Sequence, residues 1–275
     1  MDEYRGFQEI RCDDPRLNDF YGNLSENIFN CLQNEYVLIY DADGNAKDFY
    51  RWAGFTYVPV EYKTIKNKYT GTIKPRNPQQ RLAIELLYND AVTVKILSGC
   101  FGSGKDYLMA SAALDLVLQG KYDKIMWVRN NVEVKNSKPL GFLPGDAFDK
   151  LLPFAMPLAD HLGGKDGLVA LIDSDKIEVE HLGFIRGRDI KHTIIMCSEA
   201  ENMTKEHVQL LLGRVGEDSA LWLNGDYKQT DHKTFAENNG LMTAVDRLKG
   251  HNRFGYVKLL KTERSETAAM ADLLD

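Results

Sequence analysis

The stretch that most restricts the fold runs from Ala91 to Gly120 and reads "AVTVKILSGCFGSGKDYLMASAALDLVLQG". Its first third is a buried-type strand, its middle is rich in glycine, and its last half has the composition of a helix closed by Gly120. Within the turn, Gly99, four residues, then Gly104 and Lys105 reproduce the G-x-x-x-x-G-K spacing of a loop that cradles phosphates. Gly99, Gly102 and Gly104 let the chain turn with no Cβ in the way, so that backbone N–H groups, that of Ser103 included, aim at phosphate oxygens. The helix N-terminus adds its dipole. The residue after the lysine is ordinarily Ser or Thr, whose hydroxyl holds Mg²⁺; here it is Asp106. Three readings follow: a chance glycine-rich stretch, a nucleotide site that has lost a metal ligand, or a ligand rebuilt from other atoms.

The surrounding sequence supplies the context that such a loop needs. "NPQQRLAIELLYN" has helical apolar spacing with Pro78 in the first turn, and short apolar strands recur at 124–129, 193–198, 220–226 and 256–260. Helical stretches separate most of them. That alternation predicts an α/β fold of the P-loop NTPase kind, a mostly parallel sheet covered by helices.

The first 75 or so residues have a different texture. Asn34 to Lys63 alternates apolar and polar residues around Asp43, Gly44 and Asn45, the pattern of a β-hairpin or small meander. "TIKNKYTGTIKPR" follows, and Lys63, Lys66, Lys68, Lys74 and Arg76 make the region basic. It reads as a solvated linker, with a basic strip for phosphate contacts as the alternative. The expected division is a small β-rich segment with a linker over 1–75 and a nucleotide-binding domain over 76–275.

Composition removes several function classes. The most apolar helical stretch, Tyr107 to Gln119, is interrupted by Asp115 and too short to span a bilayer. The first 15 residues are acidic with no apolar core, which argues against a signal peptide. Cys12, Cys31, Cys100 and Cys197 form no C-x-x-C pair, so neither a zinc site nor a disulfide framework is expected, only reduced thiols in a cytoplasmic protein. With a net charge of −6, nucleic-acid binding has to come from local basic patches.

A phosphate loop needs an acidic partner at the end of a neighbouring strand. "TIIMCSEAEN" supplies Ser198 and Glu199, where the usual pair is Asp-Glu: Asp for the metal shell, Glu to activate water. The two departures look like one exchange. After the lysine a hydroxyl has become the Asp106 carboxylate, and on the strand a carboxylate has become the Ser198 hydroxyl, so one of each remains beside Mg²⁺. The competing reading is a site drifting toward inactivity. A third segment, "NGDYKQTD", closes another apolar strand with Asp226 and places Gln229 on the loop, where it would sense the γ-phosphate or place water.

With these segments assembled, the chain resembles the PhoH family of ATPases, P-loop proteins related to superfamily-one helicase cores, from about Asn77 to Arg264. The resemblance rests on ordered matches: "NPQQ", "GCFGSGKD", "VRNNVEV", "LGFLPGDAFDKLLPF", "FIRGRD", "SEAEN", "LLGRVG", "NGDYKQTD" and "KTERSE". Residues 34–76 resemble the segment that joins a PIN nuclease domain to the ATPase in fused members; too little chain precedes residue 34 to hold the nuclease. Departures are Asp106, Ser198, Glu201 (usually Gln) and Lys261-Thr262-Glu263 (usually Asp-Val-Val). The resemblance implies ATP binding and hydrolysis with Mg²⁺, homo-oligomers that include hexameric rings, and a role near RNA or phosphate-stress metabolism. It gives Gln80 the adenine and Lys105 the phosphates. Asp106 and Ser198 take the metal, Glu199 is the base, Gln229 senses the γ-phosphate, and Arg264 or Arg214 reaches that phosphate in its own or a neighbouring subunit.

Three functions compete: an ATPase that acts on single-stranded RNA, a nucleotide-binding assembly module with little hydrolysis, and a small-molecule kinase. The kinase is weakest, because the ordered family segments have no place in it.

Overall fold

The computed structural model describes residues 3–129, 155–226, 229–230 and 233–263. Its centre is a wholly parallel sheet of six strands: β7 (Val94–Gly99), β8 (Lys124–Arg129), β9 (Ile177–His181), β10 (Thr193–Cys197), β11 (Ala220–Gly225) and β12 (Phe254–Leu259). Their order across the sheet is β12-β7-β11-β10-β8-β9, with every pairing parallel. The sequence pattern missed β9. Its alternate residues Glu178 and Glu180 are acidic because it is an edge strand, where both carboxylates pair with Arg188 and Glu178 also pairs with Lys124.

Both faces of the sheet are buried, which is why its strands read as continuous apolar runs. Ile125, Trp127, Ile194, Met196, Ala220 and Trp222 point to one side, into a core shared with α2 (Pro78–Leu87) and α3 (Lys105–Leu118). The residues between them, such as Met126, Ile195 and Leu221, point to the other. There they meet α5 (Lys205–Leu212) and α7 (Gly240–Leu248) through Val208, Leu211, Leu241 and Val245. Each such side chain contributes about 1.5–3 kcal/mol when fully buried. Among the described residues, α4 (Gly164–Asp173) adds Leu168 and Leu171 to the α2–α3 side of the core, and α6 (Lys233–Glu237) buries none of its residues. Asn77 caps α2 by accepting the Gln80 N–H at 2.8 Å, and Pro78 occupies the first helical turn. Asp115 pairs with the Tyr88 hydroxyl, which accounts for an acid in the middle of the apolar α3.

The N-terminal region forms a second sheet, β1-β2-β3-β4, from β1 (Phe7–Arg11), β2 (Tyr36–Tyr40), β3 (Ala46–Trp52) and β4 (Tyr57–Pro59). The hairpin expected around Gly44 is present as β2–β3, and β1 adds a parallel partner to β2 with α1 (Leu17–Gly22) between them. Phe20, Phe29, Trp52 and Tyr57 make its own aromatic core.

The stretch expected to be a solvated linker is instead folded. β5 (Ile65–Asn67) and β6 (Gly71–Ile73) form a hairpin against α3, with Ile65 fully buried and Asn67 Nδ2 donating to Ser111 O. Its lysines escape burial by alternation: apolar Ile65 and Ile73 point inward while Lys66 and Lys74 stay exposed. Phe7, Tyr36, Leu38, Phe49 and Val60 join the core on the α2–α3 side. Asn34 Nδ2 donates to the carbonyls of Asn252 and Phe254, and Tyr36 and Arg51 both reach Glu85 on α2. The division proposed near residue 75 therefore runs through a continuous core.

Lys95 is the most deeply buried cation of this core. Its Nζ donates to Leu87 O at the end of α2, 2.6 Å away, and lies over the Trp222 ring. Burial pulls its pKa down to about 7. The unfolded chain, with an ordinary lysine pKa, holds a proton that the folded chain gives up between pH 7 and 10. Stability therefore carries a penalty below pH 7 that is relieved as pH rises. Lys95→Met should be more stable than the natural protein at pH 6.5, on the order of 2 kcal/mol. The gap should narrow by pH 9.5, read from urea midpoints at both values.

Candidate functional site

Parallel strands place all their carboxyl ends on one edge, and a cavity of about 400 Å³ opens there. Gly102, Gly104, Lys105 and Asp106 line it from the glycine loop, Ser198, Glu199 and Glu201 from the end of β10, Asn224 from β11, and Gln229 from the loop beyond. One expectation is corrected. The strand with Ser198-Glu199 is not next to the loop strand, because β11 lies between β7 and β10. The insertion sets Asn224, Asp226 and Gln229 between the loop and the acidic turn.

The loop has the conformation its glycines allow. Gly102 and Gly104 have φ of 70° and 91°, and Gly104 caps a helix of 14 residues whose N-terminus faces the cavity. Lys105 is nearly buried, with Nζ on Cys100 O at 3.3 Å. The Ser103 hydroxyl is buried without a hydrogen-bond partner among the described residues. A helix N-terminus, a lysine curled on its own loop and an orphaned hydroxyl fit a phosphate chain.

Asp106 and Ser198 both line the cavity, with no hydrogen bond between them among the described residues. No group of three or more acidic, His or Cys residues is arranged to hold a metal among the described residues. One carboxylate and one hydroxyl still fit Mg²⁺, which keeps several waters and takes the rest of its shell from phosphates.

Glu199 sits in a left-handed conformation, φ 55°, at the start of a tight turn that lifts its side chain into the cavity. Arg129, the last residue of β8, donates to Glu199 Oε2 at 2.5 Å. That partner was missed because an arginine at a strand end carries no spacing signal. Gln229 is held by its N–H on Asp226 O, 2.8 Å.

Gln80 lies beside the loop, but its amide is used there. Nε2 donates to Ser103 O at 3.0 Å and Oε1 accepts the Arg76 N–H at 2.9 Å. A Cβ on Gly104 would come within 2.9 Å of that Nε2. Gln80 thus braces the loop while lining the same cavity.

A second brace comes from the segment after β12. Glu263 N–H donates to Gly102 O and Thr262 Oγ1 to Phe101 O, at 2.8 and 3.0 Å. Asn77 Nδ2 then reaches Glu263 Oε1 at 2.6 Å, so loop, α2 cap and strap are tied together. Two of the three departures at 261–263 thus make bonds that the usual valines could not make with their side chains.

Arg264 lies outside the described residues, as do 130–154, which hold most of two motifs quoted above. Arg214 is at the opposite end of the sheet, its Nη1 on Arg188 O, and does not line the cavity. Arg188 is committed to Glu178 and Glu180. No helix among the described residues is long and apolar enough to cross a membrane.

The family model described as PhoH-like protein matches residues 72–272. Protein PhoH2 of Bacillus subtilis strain 168 is 35% identical over 98% of this chain and 64% of its own length. Protein PhoH2 of Thermobispora bispora is 29% identical over 72% of this chain and 46% of its own. A PhoH-like protein of Synechocystis is 33% identical over 64% and 53% respectively. The chain thus spans about half to two thirds of the length of these relatives.

If Gln80 braces the loop, Gln80→Ala should unpair the Ser103 carbonyl and the Arg76 N–H and lower stability by about 1–2 kcal/mol without nucleotide. Denaturant unfolding of the ligand-free protein measures this. A purely base-reading Gln80 would leave that midpoint unmoved.

Proposed function

The chain belongs to the PhoH family, and from that premise we propose that it is a Mg²⁺-dependent ATPase working on single-stranded RNA as a homo-oligomer. The observation that carries the reading is the convergence of Lys105, Glu199 and Gln229, from three separate strand ends, on one cavity over the N-terminus of α3.

In this reading the backbone of Gly102 to Gly104 and the Lys105 ammonium hold the phosphate chain in place. Asp106 and Ser198 would hold Mg²⁺, which when bound supplies the positive charge that offsets the triphosphate. Asp106 needs that cation more than a hydroxyl would. At ~4–5 Å and an effective dielectric near 20, a carboxylate beside a phosphate costs about 3–4 kcal/mol. Glu199 accepts a proton from the attacking water, and Arg129 fixes the direction of its carboxylate. Gln229 orients water or the terminal phosphate, and Arg264 is assigned the γ-phosphate, in its own subunit or the next. For RNA, the reading draws on the family and on the exposed Lys66 of the β5–β6 hairpin and Lys74 just after it, the latter lining the cavity.

A second reading, a nucleotide-binding assembly module with little turnover, is favoured by the exchanged residues at 106 and 198 and by the Arg129–Glu199 pair that occupies the base. Phosphate release with and without single-stranded RNA separates the two. The ATPase reading expects stimulation, and the module reading expects binding without release.

Lys105→Ala should lower turnover at least 100-fold with the fold intact by circular dichroism. Glu199→Gln should bind ATP but cleave it 10²–10⁴-fold more slowly, which is about the usual contribution of a general base. Normal turnover in either variant would remove that residue from the site.

For the exchanged pair, Asp106→Thr and Ser198→Asp should each reduce turnover, and the double variant should recover much of the loss. A double-mutant cycle at saturating Mg²⁺ measures this. Additive losses would make the two departures unrelated.

A further inference from the structure

Glu201 is the departure that the reading above leaves unused. It stands in the short 3-10 turn after β10, fixed by Asn202 N–H on Glu199 O and by Asn239 Nδ2 on its own carbonyl. Its carboxyl is buried between the end of β11 and the N-terminus of α3. The fit is so close that a Cβ on Gly225 would lie 2.1 Å from Oε2. Oε2 accepts the Asp226 N–H at 3.1 Å, and the group makes no ion pair among the described residues.

The charges that face it are mixed. Lys105 on α3 favours the anion, and Glu199 on the same turn opposes it. Asp226 just after β11 and Asp106 on α3 add further negative charge nearby, while α7 presents Asn239 and Leu241. Two backbone N–H groups, its own and that of Asp226, also favour the anion, yet burial outweighs them and raises the pKa to about 8.

A carboxylic acid has one oxygen that accepts and one O–H that donates, the same pattern as a primary amide and nearly the same shape. With Oε2 accepting from Asp226, the other oxygen is left to carry the proton. Glu201 lines the cavity together with Lys105, so a triphosphate held by that lysine brings its terminal oxygens toward this group.

We propose that Glu201 binds nucleotide as a neutral carboxylic acid, donating its O–H to the terminal phosphate where an amide would otherwise stand. The inference rests on the nucleotide reading of the cavity and adds a protonation requirement to it. Ionised, Glu201 would be a third carboxylate facing the phosphates beside Asp106 and Glu199. Binding therefore retains the proton, and affinity falls when it is lost.

The test combines infrared spectroscopy with ATP titration. The natural protein minus Glu201→Gln, both ligand-free at pH 7, should show the carbonyl stretch of a protonated acid. In the natural protein alone that band should fade as pH rises through about 8, a readout that needs no variant to fold. Between pH 7.5 and 9.5, where Mg²⁺-ATP itself gains no proton, affinity for ATP should fall about tenfold in the natural protein. Glu201→Gln should lose that slope and bind ATP more tightly than the natural protein at pH 9.5. A carboxylate signal at pH 7, or the same slope in both proteins, overturns the proposal. Failure of both proteins to bind ATP at any pH, with the acid band present, overturns the nucleotide reading and the donor role with it.

Discussion

Gly99 brings β7 so close to β12 that a Cβ there would lie 2.5 Å from Leu259 O and 2.9 Å from Ser103 Oγ. This close passage is the constraint on which the site depends. It lets the loop fold back over the strand end, so that α3 starts at the sheet edge with its N–H groups toward the cavity. It also sets the residues after β12 within reach of the loop, where Thr262 and Glu263 bind its carbonyls. The glycine loop is thus braced from two sides, by the strap and by Gln80, before any ligand arrives. Preorganised donors cost little to reorganise when charge arrives, which is how a backbone cradle becomes effective.

The bracing extends to the N-terminal sheet. β12 is an edge strand of the parallel sheet, and Lys258 N–H is paired with Arg5 O just before β1. The Gly6 carbonyl in turn accepts the Tyr36 N–H, and a Cβ on Gly6 would lie 1.8 Å from Tyr256 O. Tyr36 and Arg51 then hold Glu85 on α2, the helix whose cap carries the link to Glu263. The small sheet therefore covers an open edge and stiffens the strand and helix that frame the loop. Its residues are part of the nucleotide domain's core as much as of their own.

The site is crowded with acids for a place that would receive a triphosphate. Asp106, Asp160, Glu199, Glu201 and Glu263 line it against Lys74, Arg76 and Lys105, with Arg129 paired to Glu199. Such a balance is workable only if the charges are separated by role. Arg129 neutralises Glu199, a divalent cation would offset Asp106, and burial leaves Glu201 uncharged at neutral pH. Asp226 contributes its N–H inward, to Glu201.

Much of this was legible in the linear sequence. The period of apolar residues, the strand–glycine–helix succession and the capping residue Asn77 are local properties, decided by sterics and hydrogen bonds within a few positions. They determined the α/β class, most strands of the sheet, the phosphate loop and the identity of Lys105, Glu199 and Gln229 as candidates. The order of the strands was not local, so the place of β11 between β7 and β10 went unseen, and the edge strand β9 was missed altogether because its alternating acids hide it. The basic stretch at 64–76 read as a linker because only two of its residues, Ile65 and Ile73, point inward, and what they pack against lies on α3. Gln80's bonds to Ser103 and Arg76, the Arg129–Glu199 pair and the burial of Glu201 join residues that meet only when the sheet closes. Sequence alone therefore specified the chemical groups and the turn that gathers phosphate. The tertiary structure decided which of those groups are charged, braced or paired, because burial and partner distance are properties of packed surfaces and not of neighbours in the chain.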